Sequence, residues 1–311
     1  MALQNPYAQP GMYTHQVFAD LLDKAMDVIW DRGDRVPQKL GQFFFKHQSD
    51  LNTVKISSVD SVIDLPVKSE DGGVMPYTTS APGFDKTFTT VNYRRFIRAT
   101  DDMRRMDRFG KVQGMMSGLM KAKDRLYEYS FADVFNGAFG TTTTADGQYL
   151  CDTDHQFEDG AAGTASNDLT AAALSHTSMS TARVNMRKRK NSKGHPDPVV
   201  PVVLLIPSDL EEAAHKILVS EKVSGTALND DSWNTGVAKP VVSEWLTDTN
   251  AWFLIGDRDG EAKGLMLIER VPANLAPVQY EDPDVIWGRR LKVAFTVGAH
   301  DWRNIEGNEG A

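Results

Sequence analysis

The sequence has one cysteine, Cys151, in 311 residues. A single thiol excludes an internal disulfide and any cysteine-built zinc cluster, and it suits a reducing compartment. Long apolar runs are absent as well. The longest, Val199 to Ile206, is interrupted by Pro201 and falls far short of the roughly 20 residues a membrane helix needs. The opening residues, Met-Ala-Leu-Gln-Asn-Pro, lack the basic and apolar regions of a secretory signal. The expectation is a chain that folds in the cytoplasm of the cell that makes it. Positive charge is in deficit: 34 Lys and Arg stand against 42 Asp and Glu, a net charge of -8. Such a balance argues against a general nucleic-acid binder. Catalytic signatures are missing too. There is no GxSxG, no GxxxxGK[ST] and no HExxH, and no internal repeat or low-complexity tract.

What is present fits a folded protein. Hydrophobic residues make up 41% and charged residues 24%, enough for a sizeable core in one large domain or about two ordinary ones. Residues 1–12 hold two prolines and few apolar side chains and read as an extended arm. Residues 14–31 have helical periodicity (Val17, Leu21, Leu22, Ala25, Val28, Ile29), with Thr14 as cap and Gly33 past the end. A strand pattern follows over Val59–Val67, then a loop over 69–83. A second strand-like run, Lys86 to Arg98, carries Phe88, Tyr93 and Phe96. Together these predict a long β-ribbon, each strand spanning roughly 35–40 Å at about 3.3 Å per residue. A two-stranded ribbon is marginal alone in water. Either its own domain or a neighbouring copy must cover it.

Residues 109–136 form the longest helical candidate, with Val112, Met115, Met116, Leu119, Leu126, Val134 and Phe135 on one stripe and Asp107 as cap. Gly110, Gly114 and Gly118 weaken its first turns or admit another backbone. Residues 140–168 read as loop, and 178–190 as a short helix ending in Arg187-Lys188-Arg189-Lys190. Pro198–Pro207 reads as a buried strand. Ser208 with Glu211 reads as a capping box for the next helix. Short strands follow at Lys239–Val242, Ala251–Ile255 and Leu265–Arg270, then a hairpin of Pro277–Asp282 and Val285–Val297.

Two constellations bear on chemistry. Asp152, Asp154 and His155 supply carboxylates and an imidazole for a divalent metal, but with no further ligand at recognisable spacing. Asp and Thr there also favour turns. Basic residues concentrate at 92–125, ten against four acids, and at 183–193, six with no acid. Each run is a solvated face, an electrostatic contact between subunits or, for some of the charge, a sequence-independent contact with DNA.

Several segments, taken in order, resemble the tailed-phage major capsid proteins with the HK97 fold, and more narrowly the Mu-like major head subunit. They are Phe135-Asn136-Gly137-Ala138-Phe139, then Asp146-Gly147-Gln148-Tyr149-Leu150-Cys151-Asp152-Thr153-Asp154-His155. Pro207-Ser208-Asp209-Leu210-Glu211 with Ala213-Ala214 comes next, then Leu246 to Leu254, and last Asp301-Trp302-Arg303. Cys151 stands where that family commonly has an aromatic.

The resemblance implies an α+β fold in four parts. These are an N-terminal arm (1–55), an extended β-hairpin loop (56–100), a peripheral domain with a long spine helix (101–168 and 276–311) and an axial α/β domain (169–275). It implies a non-enzymatic virion protein, without cofactor or metal, that assembles in the host cytoplasm into pentamers and hexamers of an icosahedral shell. Its partners would be other copies, a scaffolding protein, a portal protein, a decoration protein and double-stranded DNA packaged without sequence preference, with no membrane. Inter-subunit contacts would fall on Phe84, Phe88, Tyr93, Arg94, Arg95, Phe96 and Arg98. The alternatives are a nanocompartment shell of the same fold and a metal-dependent hydrolase.

Overall fold

A computed structural model describes residues 39–59, 82–105, 109–157, 163–191, 194–220, 232–257, 264–277 and 285–310. The helix expected over 14–31 and the loop over 69–83 lie outside them, except for Pro82 and Gly83. The strands are β1 (Phe45–Gln48), β2 (Thr53–Val59), β3 (Pro82–Thr89), β4 (Val91–Thr100), β5 (His155–Gln156), β6 (Thr164–Ala165), β7 (Val200–Ile206), β8 (Lys239–Val242), β9 (Trp252–Asp257), β10 (Leu265–Pro277), β11 (Val285–Ala299) and β12 (Ile305–Asn308). The helices are α1 (Asp101–Arg105), α2 (Phe109–Asn136), α3 (His176–Arg187) and α4 (Glu211–Leu218). The chain divides into two compact units. The first is Met1–Gln38, Val91–Tyr127 and Val271–Phe295; the second is Lys39–Thr90, Glu128–Arg270 and Thr296–Ala311.

In the first unit, β4 and β11 form an antiparallel ladder running from Val91 opposite Phe295 to Thr100 opposite Val285. Side chains alternate across a strand. One face therefore buries Ala99, Trp287 and Leu291 with Met116 and Leu119 of α2. Tyr93 lies 5.2 Å from the Phe295 ring, and Tyr127 stacks on Phe295 at 4.5 Å. Helix α2 has the expected bounds. Among the described residues, a Cβ added at Gly110, Gly114 or Gly118 meets nothing within 4 Å, so no described backbone takes up the space they leave.

The second unit is built on a sheet of order β12-β9-β7-β8. β7 runs antiparallel to β9 and parallel to β8. Helices α3 and α4 cover one face. Met179, Ala182 and Met186 from α3 join Ala214, Ile217 and Leu218 from α4 over Leu204, Ile206, Trp252 and Leu254. On the other face Phe135 and Phe139 meet Phe253 at 5.2 and 5.6 Å. Elsewhere in the unit β1 pairs parallel with β10, and β2 pairs antiparallel with β3.

Four local expectations change. The strand expected over Lys86–Arg98 is two strands, broken at buried Thr90, whose N–H donates to Asn52 O at 2.9 Å. β3 then pairs with β2, and β4 with β11. Helix α3 starts earlier and stops earlier than expected. Ser175 and Ser178 cap it reciprocally, so that Ser175 Oγ accepts from Ser178 N–H. Ser208 does not cap α4: a 3-10 turn, Ser208–Leu210, intervenes, and no side chain bonds the helix start. The strand expected over Leu265–Arg270 continues to Pro277 as β10; the rest of the strand expected over Pro277–Asp282 lies outside the described residues.

Candidate assembly surface

The seven residues expected at subunit contacts fall on two strands of different units. Phe84 and Phe88 are on β3. Phe88 is buried against Val54, Met266 and Ile268 and presses on Gly298. This corrects the expectation that it is buried on a neighbour: its area is already spent inside its own unit. Phe84 is half-buried and lines a cleft with Gln156, His300 and Arg303. Lys86, between them, is drawn inward and donates to Thr143 O. Burial lowers its ammonium to about 8, against an upward pull from Asp146.

Tyr93, Arg94, Arg95, Phe96 and Arg98 are on β4. Alternation puts Tyr93 and Arg95 on the α2 side, Tyr93 half-buried against Phe295 and Arg95 exposed. Arg94, Phe96 and Arg98 fall on the opposite side. The register sets Lys292 opposite Arg94, Arg290 opposite Phe96 and Gly288 opposite Arg98. The outward face of this ladder therefore carries four cations, Arg94, Arg98, Arg290 and Lys292, around Phe96, which is 58% exposed. Arg290 and Lys292 were absent from the expected contact set. Their signal was the basic run Arg289-Arg290-Leu291-Lys292, but only the β4–β11 pairing reveals that they share a face with Arg94.

This face concentrates charge of one sign. Unit charges roughly 5 Å apart repel by about 0.8 kcal/mol even in water, and like charges directly opposite in a ladder destabilise it. Arg94 and Lys292 are such a pair. The face gains most from an acidic surface laid over it, with Phe96 as an apolar anchor.

The segment Leu150–His155, read as a metal site or a turn, has a structural use. His155 is fully buried and stacks on Trp302 at 4.3 Å. Its Nδ1 lies 2.7 Å from Asp146 Oδ2 and its Nε2 3.0 Å from Asn167 Oδ1. The Asn167 amide is oriented by its surroundings: Nδ2 donates to Leu150 O, Ile305 O and Trp302 O, and Oδ1 accepts from Asp152 N–H. Both ring nitrogens of His155 are thus engaged by protein oxygens and not turned toward a metal. Burial raises the Asp146 carboxyl, but the hydrogen bonds from His155 and Thr144 outweigh it and hold it below its ordinary value. Asp152 turns back to its own backbone, accepting from Thr153 N–H at 2.6 Å, and Asp154 is exposed. Among the described residues no group of three or more His, Cys, Asp or Glu side chains is placed to hold a metal. Burial pushes the Cys151 thiol well up, which leaves it unreactive as a nucleophile.

Beside this cluster Arg189 and Glu306 form a buried ion pair. Arg189 also donates to Ile305 O at 2.8 Å and lies over the Trp302 ring at 5.1 Å. Glu306 accepts from Asn185 Nδ2 at 3.0 Å. Burial pushes the Glu306 carboxyl up, and Arg189 opposes that shift. The cluster ties Asn185 of α3, Arg189 just past it and β12 to Asp146, His155 and Asn167.

A family model described as phage capsid protein matches residues 84–305, more than two thirds of the chain. No curated protein matches it. Among solved structures it is similar to the procapsid of bacteriophage JBD30, with TM-score 0.55, 13% identity, 95% of this chain and 75% of that chain covered. It is similar to the capsid of cyanophage P-SCSP1u, with TM-score 0.54, 9% identity and 86% of each chain covered. It is also similar to the holo-SrpI encapsulin complex of Synechococcus elongatus PCC 7942, with TM-score 0.51, 8% identity, 88% of this chain and 87% of that chain covered. At these identities the structures establish the fold alone: α+β, of the HK97 type.

Proposed function

The chain belongs to the phage capsid protein family, and from that premise we propose that it is the major capsid protein, the subunit whose copies build an icosahedral head. The family match over residues 84–305 carries this reading. The cationic face of β4 and β11 supports it physically, because that surface is completed by contact with something acidic. Within the reading, residues 1–55 are the arm, 56–100 the extended loop, 101–168 and 276–311 the peripheral domain, and 169–275 the axial domain. The sheet of β7, β8 and β9 under α3 and α4 supports the axial assignment. Arg94, Phe96 and Arg98, with Arg290 and Lys292, meet a neighbouring subunit. Arg95 falls on the opposite, α2 side of the ladder. The finer place is the Mu-like head subunits, on the ordered segments from Phe135 to Arg303.

The role is assembly and not catalysis. Copies join by heterologous contacts that close into pentamers and hexamers, each interface above roughly 1,000 Å². Scaffolding, portal and decoration proteins and packaged DNA are the partners of such a shell, which forms in the host cytoplasm and ends in the virion. Replacing Arg94, Arg95 and Arg98 together by Glu leaves a folded subunit that forms no shells by electron microscopy. Shells of normal yield and shape from that variant sink the contact assignment. The likeness to an encapsulin makes a cargo-enclosing shell the second reading. The contents of purified particles, DNA or a foreign protein, separate the two.

A further inference from the structure

A second cationic patch lies on the second unit, and neither the core nor the β4–β11 ladder uses it. Trp233 is 68% exposed, an unusual setting for the largest side chain. The Arg183 guanidinium lies over its ring, 4.5 Å from the centroid, and Nη1 donates to Trp233 O at 2.9 Å. The segment just after Trp233 is tied down at three successive residues. Asn234 is buried and donates Nδ2 to His176 O at 2.9 Å. Thr235 Oγ1 donates to Ser220 O at 2.7 Å, and Gly236 N–H to Leu218 O at 2.9 Å. Val219, between those two anchors, is 51% exposed. The indole is therefore held out in water on a fixed base, and little ordering remains to be lost on contact. Arg187 follows Arg183 by one helical turn, and Arg187, Lys188 and Lys190 are all exposed.

An aromatic ring backed by guanidinium groups has the composition of an interface hot spot, and its charge decides the partner. Two such patches meeting across a two-fold axis set Arg183 and Arg187 against their own copies, which repel. The partner surface must be acidic and must differ from the patch itself. Each copy carries a net charge of -8. On the same unit Asp209, Glu211 and Glu212 are all exposed at the start of α4.

We infer that Trp233, Arg183 and Arg187 form one half of a head-to-tail contact between copies, and that Asp209, Glu211 and Glu212 of the next copy form the other half. A contact between two different patches of one chain propagates by rotation and closes into a ring. The inference rests on the shell reading and names a contact within it. Bases of a nucleic acid stack on similar groups, but the exposed acids of the same unit and the net charge of -8 oppose a polyanion, and a second copy is favoured.

The test uses the full-length chain under conditions in which the wild type forms shells. Arg183→Glu with Arg187→Glu raises the threshold concentration for assembly by about tenfold or more, as loss of hot-spot contacts does. Asp209→Lys with Glu211→Lys does the same, and combining all four substitutions restores assembly. Trp233→Ala raises the threshold with an unchanged melting temperature, which separates a lost contact from a lost fold. Charge-reversed variants that assemble at the wild-type threshold overturn the inference, as does a combined variant no better than its parents. Normal assembly with weakened, salt-dependent DNA binding by the Arg183→Glu, Arg187→Glu variant assigns the patch to nucleic acid and also overturns it. A wild-type chain that never forms shells removes the shell reading and this contact together, whereas wild-type shells with indifferent variants remove only the contact.

Discussion

Replacing Glu306 by Leu removes the carboxylate against which Arg189 is buried, the two side chains being 1% and 6% exposed. Breaking one side of a buried ion pair costs about 3–5 kcal/mol, because the remaining charge is left without its counter-ion. Arg189 keeps its bonds to Ile305 O and Trp302 O and its place over the Trp302 ring. The expected cost therefore sits at the lower end, about 3 kcal/mol. At roughly 2–4 °C per kcal/mol for a chain of this size, the melting midpoint falls by about 6–12 °C. Removing both charges, Arg189→Met with Glu306→Leu, trades the pair for apolar contact and recovers most of the loss. Urea unfolding of dispersed subunits, followed by tryptophan fluorescence, reads all corners of the double-mutant cycle. A single substitution costing under about 1 kcal/mol, or a double substitution as costly as the sum of the singles, refutes the assignment of this pair as the tie between β12 and the turn that follows α3.

Phe88→Ala, in the core of its own unit, should cost about 3–5 kcal/mol in the same urea assay. Phe96→Ala, at an exposed position, should stay within about 0.5 kcal/mol while lowering shell yield by sedimentation; equal stability effects refute the division between the two aromatics. A Cβ on Gly307 collides with Cys151 Sγ and comes within 3.3 Å of Phe139. Gly307→Ala should therefore cost about 1–3 kcal/mol, with partial rescue by Cys151→Ala in paired thermal melts. Lys86 loses its proton near 8 in the folded chain but keeps it to 10.5 when unfolded. The unfolded state then binds more protons across that window, so stability rises with pH there. Melts of wild type against Lys86→Met should show the wild type gaining between pH 8 and 10.5, and a flat difference refutes the burial of that ammonium.

Elements that make their own case locally were legible. Helix α2 was readable because its apolar stripe persists over 28 residues, and β7 because Val200–Ile206 is a run of β-branched and aliphatic residues around one proline. The capping box at Ser208 was not realised, because Leu210 closes a 3-10 turn first and α4 starts two residues later than the side-chain pattern implies. The strand over Lys86–Arg98 was overextended for a similar reason. Alternation continues smoothly through Thr90, and the tertiary bonds from its N–H and hydroxyl to Asn52 mark the break between a strand that pairs with β2 and one that pairs with β11.

That same break explains why the candidate surface was half legible. The residues of one strand announce which of them share a face, so Arg94, Phe96 and Arg98 group together from sequence alone. They do not announce which strand lies beside them. The ribbon expectation paired β4 with residues 59–67, which would have set Arg94 beside aliphatic and acidic neighbours. The observed partner lies almost 200 positions away and brings Arg290 and Lys292 to the same side. The difference changes the chemistry: the first pairing leaves isolated arginines, and the second gathers four like charges on one face, which an acidic partner would offset. If Lys292→Glu, which neutralises that repulsion by an internal pair with Arg94, both stabilises the dispersed subunit and weakens shell formation, the two effects share one origin. A variant that gains stability yet assembles as well as wild type shows that the face is a solvated surface after all.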